Sequence, residues 1–138
     1  MNPIDELILV SPATKAGESF IHALKVRGMP FATLTNNENG KKRLVKLGVE
    51  HVLRVDTRGN KPNVVPELPI GKVYLFEDSL TLCCRYIQIC RQWTGKPIFV
   101  ITRGDNSKQI YKGLGADYVI HSNGSDLSFL INGHKLHR

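Results

Sequence analysis

No apolar run in this 138-residue chain approaches the roughly 20 residues a membrane-spanning helix needs, so insertion into a bilayer as a helical span is not expected. The opening residues, Met1-Asn2-Pro3-Ile4-Asp5-Glu6, lack the basic segment and long apolar stretch of a secretory signal, and the expected compartment is the cytosol. Cysteine is scarce. Cys83, Cys84 and Cys90 fall in one stretch, odd in number and without C-x-x-C spacing, which argues against a disulfide framework and for small apolar packing in a reducing compartment. The histidines, His22, His51, His121, His134 and His137, have no metal-ligand spacing, and no metal is expected. Hydrophobic residues make up 41% and charged residues 22%, near globular averages, and the length suits one domain.

What is present in excess is positive charge, a formal +7. Such a balance attracts phosphates non-specifically but says little about fold. Lys and Arg are spread along the chain. Their densest group, Lys41-Lys42-Arg43 with Lys46, falls on a predicted helix whose solvated face explains it. No recognition-helix motif or aromatic platform accompanies the charge, so nucleic acid is not an expected partner.

Short apolar, β-branched runs alternate with segments of helical period, the signature of βα units and a mainly parallel sheet. Strands are predicted at Leu7–Val10, Phe31–Thr35, Val49–Val55, Val73–Phe76, Pro97–Thr102 and Tyr118–Ile120. Helices are predicted between them. The first runs from Ala16 to Arg27, with Phe20, Ala23, Leu24 and Val26 inward and Gly28 ending it. The second, Glu38–Leu47, is capped by Asn37 and stopped by Gly48. The third opens at Ser79, runs to Trp93 and is closed by Gly95. The fourth, Asn106–Leu114, is capped by Asp105.

Between the third and fourth strands, Lys61 to Pro69 carries three prolines and reads as a loop crossing the sheet. This pattern implies a single doubly wound α/β domain, Rossmann-like, with a six-stranded sheet of order 3-2-1-4-5-6 and helices on both faces. The domain is expected over residues 1–124, with 125–138 a tail or short docking helix containing Leu127, Phe129, Leu130 and Ile131. Lys42–Leu53 and Lys108–Ile120 echo one another as helix, Leu-Gly stop and entering strand. That is either a trace of two βαβ halves or the common form of an αβ corner.

A sheet of this order places its ligand crevice at the carboxyl ends of strands 1 and 4. The loop there, Ser11-Pro12-Ala13-Thr14-Lys15-Ala16-Gly17, retains only the last glycine of G-x-G-x-x-G. Pro12 removes a backbone donor, and Ala13 adds a methyl to a loop that must approach phosphate closely. The Walker pattern is also absent, since Lys15 has neither the preceding glycine nor a following Ser or Thr. Ser11, Ala13, Thr14, Lys15 and Gly17 nevertheless frame a helix N-terminus, where an anion is favoured.

After strand 2, where an Asp or Glu would hold a ribose diol, the chain has Asn36, which also suits a helix-capping corner. Asp56-Thr57, Glu77-Asp78-Ser79 and Thr102-Arg103-Gly104-Asp105 project at the same sheet edge. Helix capping accounts for Asp78, Ser79 and Asp105. Arg103 is placed to receive a phosphate or pair with a carboxylate. No nucleophile with an adjacent His is identifiable.

The segment from Val73 to Asn123 resembles the TrkA-N, or regulator-of-potassium-conductance, domains. Its carriers are strand 4 with its helix, Lys96-Pro97-Ile98-Phe99-Val100-Ile101-Thr102-Arg103, and Leu114-Gly115-Ala116-Asp117-Tyr118-Val119-Ile120. Members are Rossmann folds that bind NAD or adenine nucleotides and gate potassium channels and transporters as dimers or larger rings. The resemblance matches Arg103 to the Arg ending strand 5, and Asp56-Thr57 to the Asp that approaches the adenine. It departs at the glycine fingerprint, the ribose acid and the third helix. The Leu-Gly-Ala-Asp-Tyr-Val-Ile corner also looks like that of medium-chain dehydrogenase cofactor domains, but no catalytic domain accompanies it.

The expectation is a non-enzymatic regulatory module with a diverged site for NAD or an adenine nucleotide. Its site residues would be Ser11, Ala13, Thr14, Lys15, Gly17, Asn36, Asp56, Thr57 and Arg103, and it is expected to be a homodimer. The alternatives are a ligand-free interaction module and a small enzyme using Asp56, Glu77 and Asp78.

Overall fold

The structure is a computed structural model, and it describes residues 6–59, 63–104, 107–122 and 128–131. The strands are β1 (Leu7–Pro12), β2 (Phe31–Thr35), β3 (Val52–Arg54), β4 (Ile70–Phe76), β5 (Ile98–Thr102) and β6 (Tyr118–His121). The helices are α1 (Lys15–Val26), α2 (Glu38–Lys46), α3 (Leu80–Trp93) and α4 (Lys108–Leu114), and a single 3₁₀ turn covers Ser128–Leu130. All strand pairs are parallel, in the order β3-β2-β1-β4-β5-β6.

The central strands are apolar on both sides because both sides are covered. Leu9, Val73, Leu75, Ile98 and Val100 face α3 and α4, where Cys83, Tyr86, Ile87, Cys90 and Tyr111 meet them. The alternate residues Val10, Tyr74, Phe76, Phe99 and Ile101 face α1 and α2. On that second side Phe20 lies 4.8 Å from Tyr74, and Tyr74 stacks on Phe99 at 4.7 Å. Leu130 closes the same layer, with the Tyr74 hydroxyl donating to its carbonyl at 3.1 Å.

Several boundaries differ from the sequence reading. Val26 is 72% exposed, whereas Ile21 is buried at 3%. At 3.6 residues per turn the inward stripe through Gly17, Phe20 and Leu24 takes in position 21 and turns position 26 outward. The third strand is only Val52–Arg54, because the amide of Val49 closes α2 by bonding to Leu44 O. The fourth strand starts three residues early, at Ile70. There Gly71 packs so close to Glu6 that an added Cβ would stand 3.0 Å from the Glu6 Cβ, so a polar-looking segment belongs to the sheet.

Gly28 and Gly48 adopt positive φ (67° and 84°) just after the helices they stop. Asp105 and Asn106 lie outside the described residues. The helix that follows them has Ser107 at its N-cap with no side-chain capping bond. The two echoing segments end in β3 and β6, the opposite edges of the sheet.

Candidate functional site

The registers Pro12↔Phe76 and Phe76↔Ile101 bring the carboxyl ends of β1, β4 and β5 level with one another. Above them opens a cleft of about 360 Å³, lined among others by Ala13, Thr14, Lys15, Glu77, Asp78 and Arg103. A second cavity of about 220 Å³ lies toward the end of β2 and includes Ser11, Glu18, Asn36, Asn37, Gly40 and Arg43. Ala13 and Asp78 border both.

Gly17 belongs to the packing of this corner. A Cβ there would stand 2.6 Å from Pro12 Cα and 3.1 Å from the Phe76 ring, so α1 can rest on β1 and β4 only with glycine at this position. That is the role of the third fingerprint glycine. Counting back along G-x-G-x-x-G then puts Pro12 and Thr14 at the first and second positions, so the close approach to phosphate would fall on Thr14 and not on Ala13. Thr14 is the N-cap of α1, and its hydroxyl accepts from the Gly17 amide at 3.1 Å. Among the described residues the amides of Lys15 and Ala16 have no acceptor, leaving two donors at the positive end of the helix.

On the far side of the cleft, the Arg103 side chain is exposed and its carbonyl accepts from His121 Nε2 at 2.8 Å. Glu77 is held from below. The Thr102 hydroxyl donates to Oε1 at 2.6 Å, and the hydroxyl of buried Tyr111 donates to Oε2. Burial, reinforced by the bond to Glu77, pushes the Tyr111 phenol up, so it remains a donor across the ordinary pH range. Burial likewise pushes the Cys83 thiol up to about 12, leaving it an inert thiol. Glu77 is thus a fixed acceptor in the cleft floor.

The remaining predicted residues are engaged elsewhere. Asp56 and Thr57 line neither cavity. The Asp56 carboxylate accepts from the amides of Arg58 (2.9 Å) and Gly59 (3.3 Å), and these bonds hold its pKa below the usual value. Asn63 clamps the Asp56 backbone from the other side. Thr57 accepts from Asn36 Nδ2 at 3.1 Å through its hydroxyl, and from Arg85 Nε through its carbonyl. Asp56 therefore shares no cleft with Glu77 and Asp78, and the three carboxylates form no single cluster.

The sequence reading missed Glu18 and Arg43, which meet across the second cavity in a two-pronged ion pair at 2.6 and 2.9 Å. Arg43 lowers the Glu18 pKa. Their separation of 25 residues leaves no local signature in the sequence. Among the described residues no group of three metal-ligating side chains stands together, and no helix is long and apolar enough to cross a membrane.

With this geometry the chain is a TrkA-N/RCK-like Rossmann domain in fold. It matches the TrkA-N domain of the inner membrane protein ybaL from Escherichia coli at a TM-score of 0.64 and 12% identity, over 100% of both chains. The GsuK channel bound to NAD matches at 0.64 and 16% identity, over 86% of this chain and 22% of the channel chain. The NAD(P)-binding domain of an exopolyphosphatase-related protein from Archaeoglobus fulgidus matches at 0.63 and 11% identity, over 96% of both. No protein-family model and no curated protein matches the sequence.

The residues fit a nucleotide unevenly. Gly17, the open amides of Lys15 and Ala16, and Arg103 suit a phosphate. The end of β2 offers a ribose diol no carboxylate: Asn36 stands there, with its carbonyl oxygen accepting from Asn37 Nδ2 at 2.9 Å.

Proposed function

We propose that the chain is a regulatory module that senses an NAD-type or adenine nucleotide at a diverged Rossmann site, without catalysing a reaction. The observation that carries this reading is the α1 N-terminus, with two unspent amides and Lys15, opening into a 360 Å³ cleft rimmed by Arg103. A phosphate there would gain charge-assisted bonds at the positive end of a helix. The names of the structural neighbours support the same direction, since one is a channel bound to NAD and another an NAD(P)-binding domain. Glu77, held by Tyr111 and Thr102, is a positioned acceptor at the cleft floor. A cytoplasmic homodimer is part of the proposal, and sedimentation at high concentration tests it.

The direct experiment is calorimetric titration of the full chain with NAD, NADH, ATP, ADP, AMP and cyclic dinucleotides, paired with thermal shift. At least one should bind, and Lys15→Ala and Arg103→Ala should each weaken it. Absence of heat and of any thermal shift with the whole series would remove the sensing role. That result would favour the second reading, a ligand-free interaction module. Its support is that Pro12 has no amide hydrogen and Thr14 spends its hydroxyl on the Gly17 amide.

A further inference from the structure

We propose that the outer surface of α1 and α2 docks on an anionic lipid bilayer, with Lys42 and Lys46 meeting headgroup phosphates and Val45 entering the headgroup layer beside them. The proposal is independent of the nucleotide-site reading. Its first support is the distribution of charge. Seven of the nineteen Lys and Arg, but only two of the twelve Asp and Glu, fall between Lys15 and Leu47, so about a quarter of the chain carries most of the formal +7. Both of those carboxylates are already matched. Glu18 is gripped by Arg43, and Glu38 lies 3.2 Å from Arg54.

The fold gathers this charge on one face. The Glu18–Arg43 pair and the bond from Lys25 Nζ to Leu47 O at 3.3 Å tie the two helices side by side. Leu44 is the buried side chain of α2. At 3.6 residues per turn, Lys42 and Lys46 project from the side opposite Leu44, flanked by Val45 and Lys41. Among the described residues the ammonium groups of Lys41, Lys42 and Lys46 have no hydrogen-bond or ion-pair partner. α1 continues the surface with His22, Lys25 and Val26, all exposed. A like-charged second copy would be repelled by this face, whereas a polyanion would be drawn to it.

The apolar side chains decide which polyanion. Val26 is 72% exposed, Val45 56% and Leu47 41%, and Val45 stands one helical turn from both Lys41 and Lys42. Valine is a poorer helix former than lysine, so helix propensity does not account for it on the solvent side of α2. The phosphates of a nucleic acid would leave these side chains without a partner. A bilayer surface takes both kinds, cations at the headgroups and apolar tips at the acyl boundary.

The test is co-sedimentation of the full chain with vesicles of phosphatidylcholine alone and of phosphatidylcholine mixed with phosphatidylglycerol. It should bind the anionic vesicles only, and less as salt rises. A lysine near such a surface is worth roughly a five-fold gain in binding, so the double variant Lys42→Ala, Lys46→Ala should lose roughly twenty-five-fold. Lys108→Ala with Lys112→Ala removes the same charge from α4, on the opposite side of the sheet, and should lose little. Val45→Gln should weaken vesicle binding with its salt dependence kept, and leave binding to heparin unchanged. All five positions are exposed, so the urea midpoints should stay near that of the parent chain. Absence of binding to the anionic vesicles overturns the proposal. Equal losses from the α2 and α4 pairs also overturn it, because net charge alone would then suffice. Vesicle binding indifferent to Val45→Gln overturns the bilayer as occupant and points to a polyanion such as a nucleic acid.

Discussion

Gly17 touches Pro12 so closely that a single added methyl group would stand 2.6 Å from the Pro12 α-carbon. Glycine inside a helix ordinarily gives up about 1 kcal/mol relative to alanine, so Gly17→Ala would stabilise α1 if space were free. Here the obstacle is backbone, which cannot swing aside as a side-chain end can. Overpacking of this kind costs about 1–3 kcal/mol and outweighs the propensity gain. Gly17→Ala should therefore lower the urea midpoint of unfolding. A raised midpoint would show that α1 slides along β1 without loss.

Leu130 is 1% exposed and lies in the layer formed by Phe20, Tyr74 and Phe99, with its carbonyl bonded to the Tyr74 hydroxyl. The segment beyond β6 thus contributes to the core of the domain through at least this residue. Leu130→Ala should destabilise by about 2–4 kcal/mol, as a buried leucine does, and Tyr74→Phe by about 1 kcal/mol for one lost hydrogen bond. Denaturant unfolding of both variants measures this. A loss below about 0.5 kcal/mol for Leu130→Ala would mean that the segment only rests on the surface.

Burial pushes Cys83, Cys90 and Tyr74 up to about 12, from ordinary values of 9.0 for the thiols and 10.0 for the phenol. These groups hold their protons more tightly folded than unfolded. The stability they confer is complete below 9.0 and is lost progressively as pH rises toward about 12. Under a reductant, the urea midpoint should be flat approaching pH 9.0 and fall steadily above it, with tyrosinate absorbance appearing as the fold is lost. A midpoint that holds through pH 12 would mean that the thiols and phenol ionise within the native fold.

The sheet order could be read from the chain because each central strand is a short continuous apolar run between helical segments, and Gly28 and Gly48 mark where two helices stop. Residues whose placement depends on one neighbour across a corner were legible too, such as Asn37 capping the Gly40 amide. Long-range partnerships were not. Glu18 and Arg43 meet because α1 and α2 lie side by side, and Tyr111 reaches Glu77 from 34 residues away. Asp56 has a local role that its position after β3 did not reveal. Its Oδ1 accepts from the amides of Arg58 and Gly59 and so holds the following loop. Neither hydrophobic period nor motif spacing encodes which use a carboxylate will find.

Thr14 stands where the second fingerprint glycine would allow a phosphate to approach α1, and its hydroxyl consumes the Gly17 amide. Two substitutions separate these roles. Thr14→Gly removes the Cβ and frees the amide, at a stability loss of only a few tenths of a kcal/mol because glycine is tolerated at an N-cap. Thr14→Ala frees the same amide, keeps the Cβ and costs about 1 kcal/mol. If a nucleotide phosphate docks at the α1 N-terminus, Thr14→Gly should raise the affinity for ADP roughly ten-fold, through one more charge-assisted bond. Thr14→Ala should gain less, because its methyl still stands in the approach. Calorimetry on both variants, alongside their unfolding midpoints, reads affinity and stability separately. Equal or weaker ADP binding by Thr14→Gly would place the phosphate away from α1, and the open amides of Lys15 and Ala16 would then serve only water.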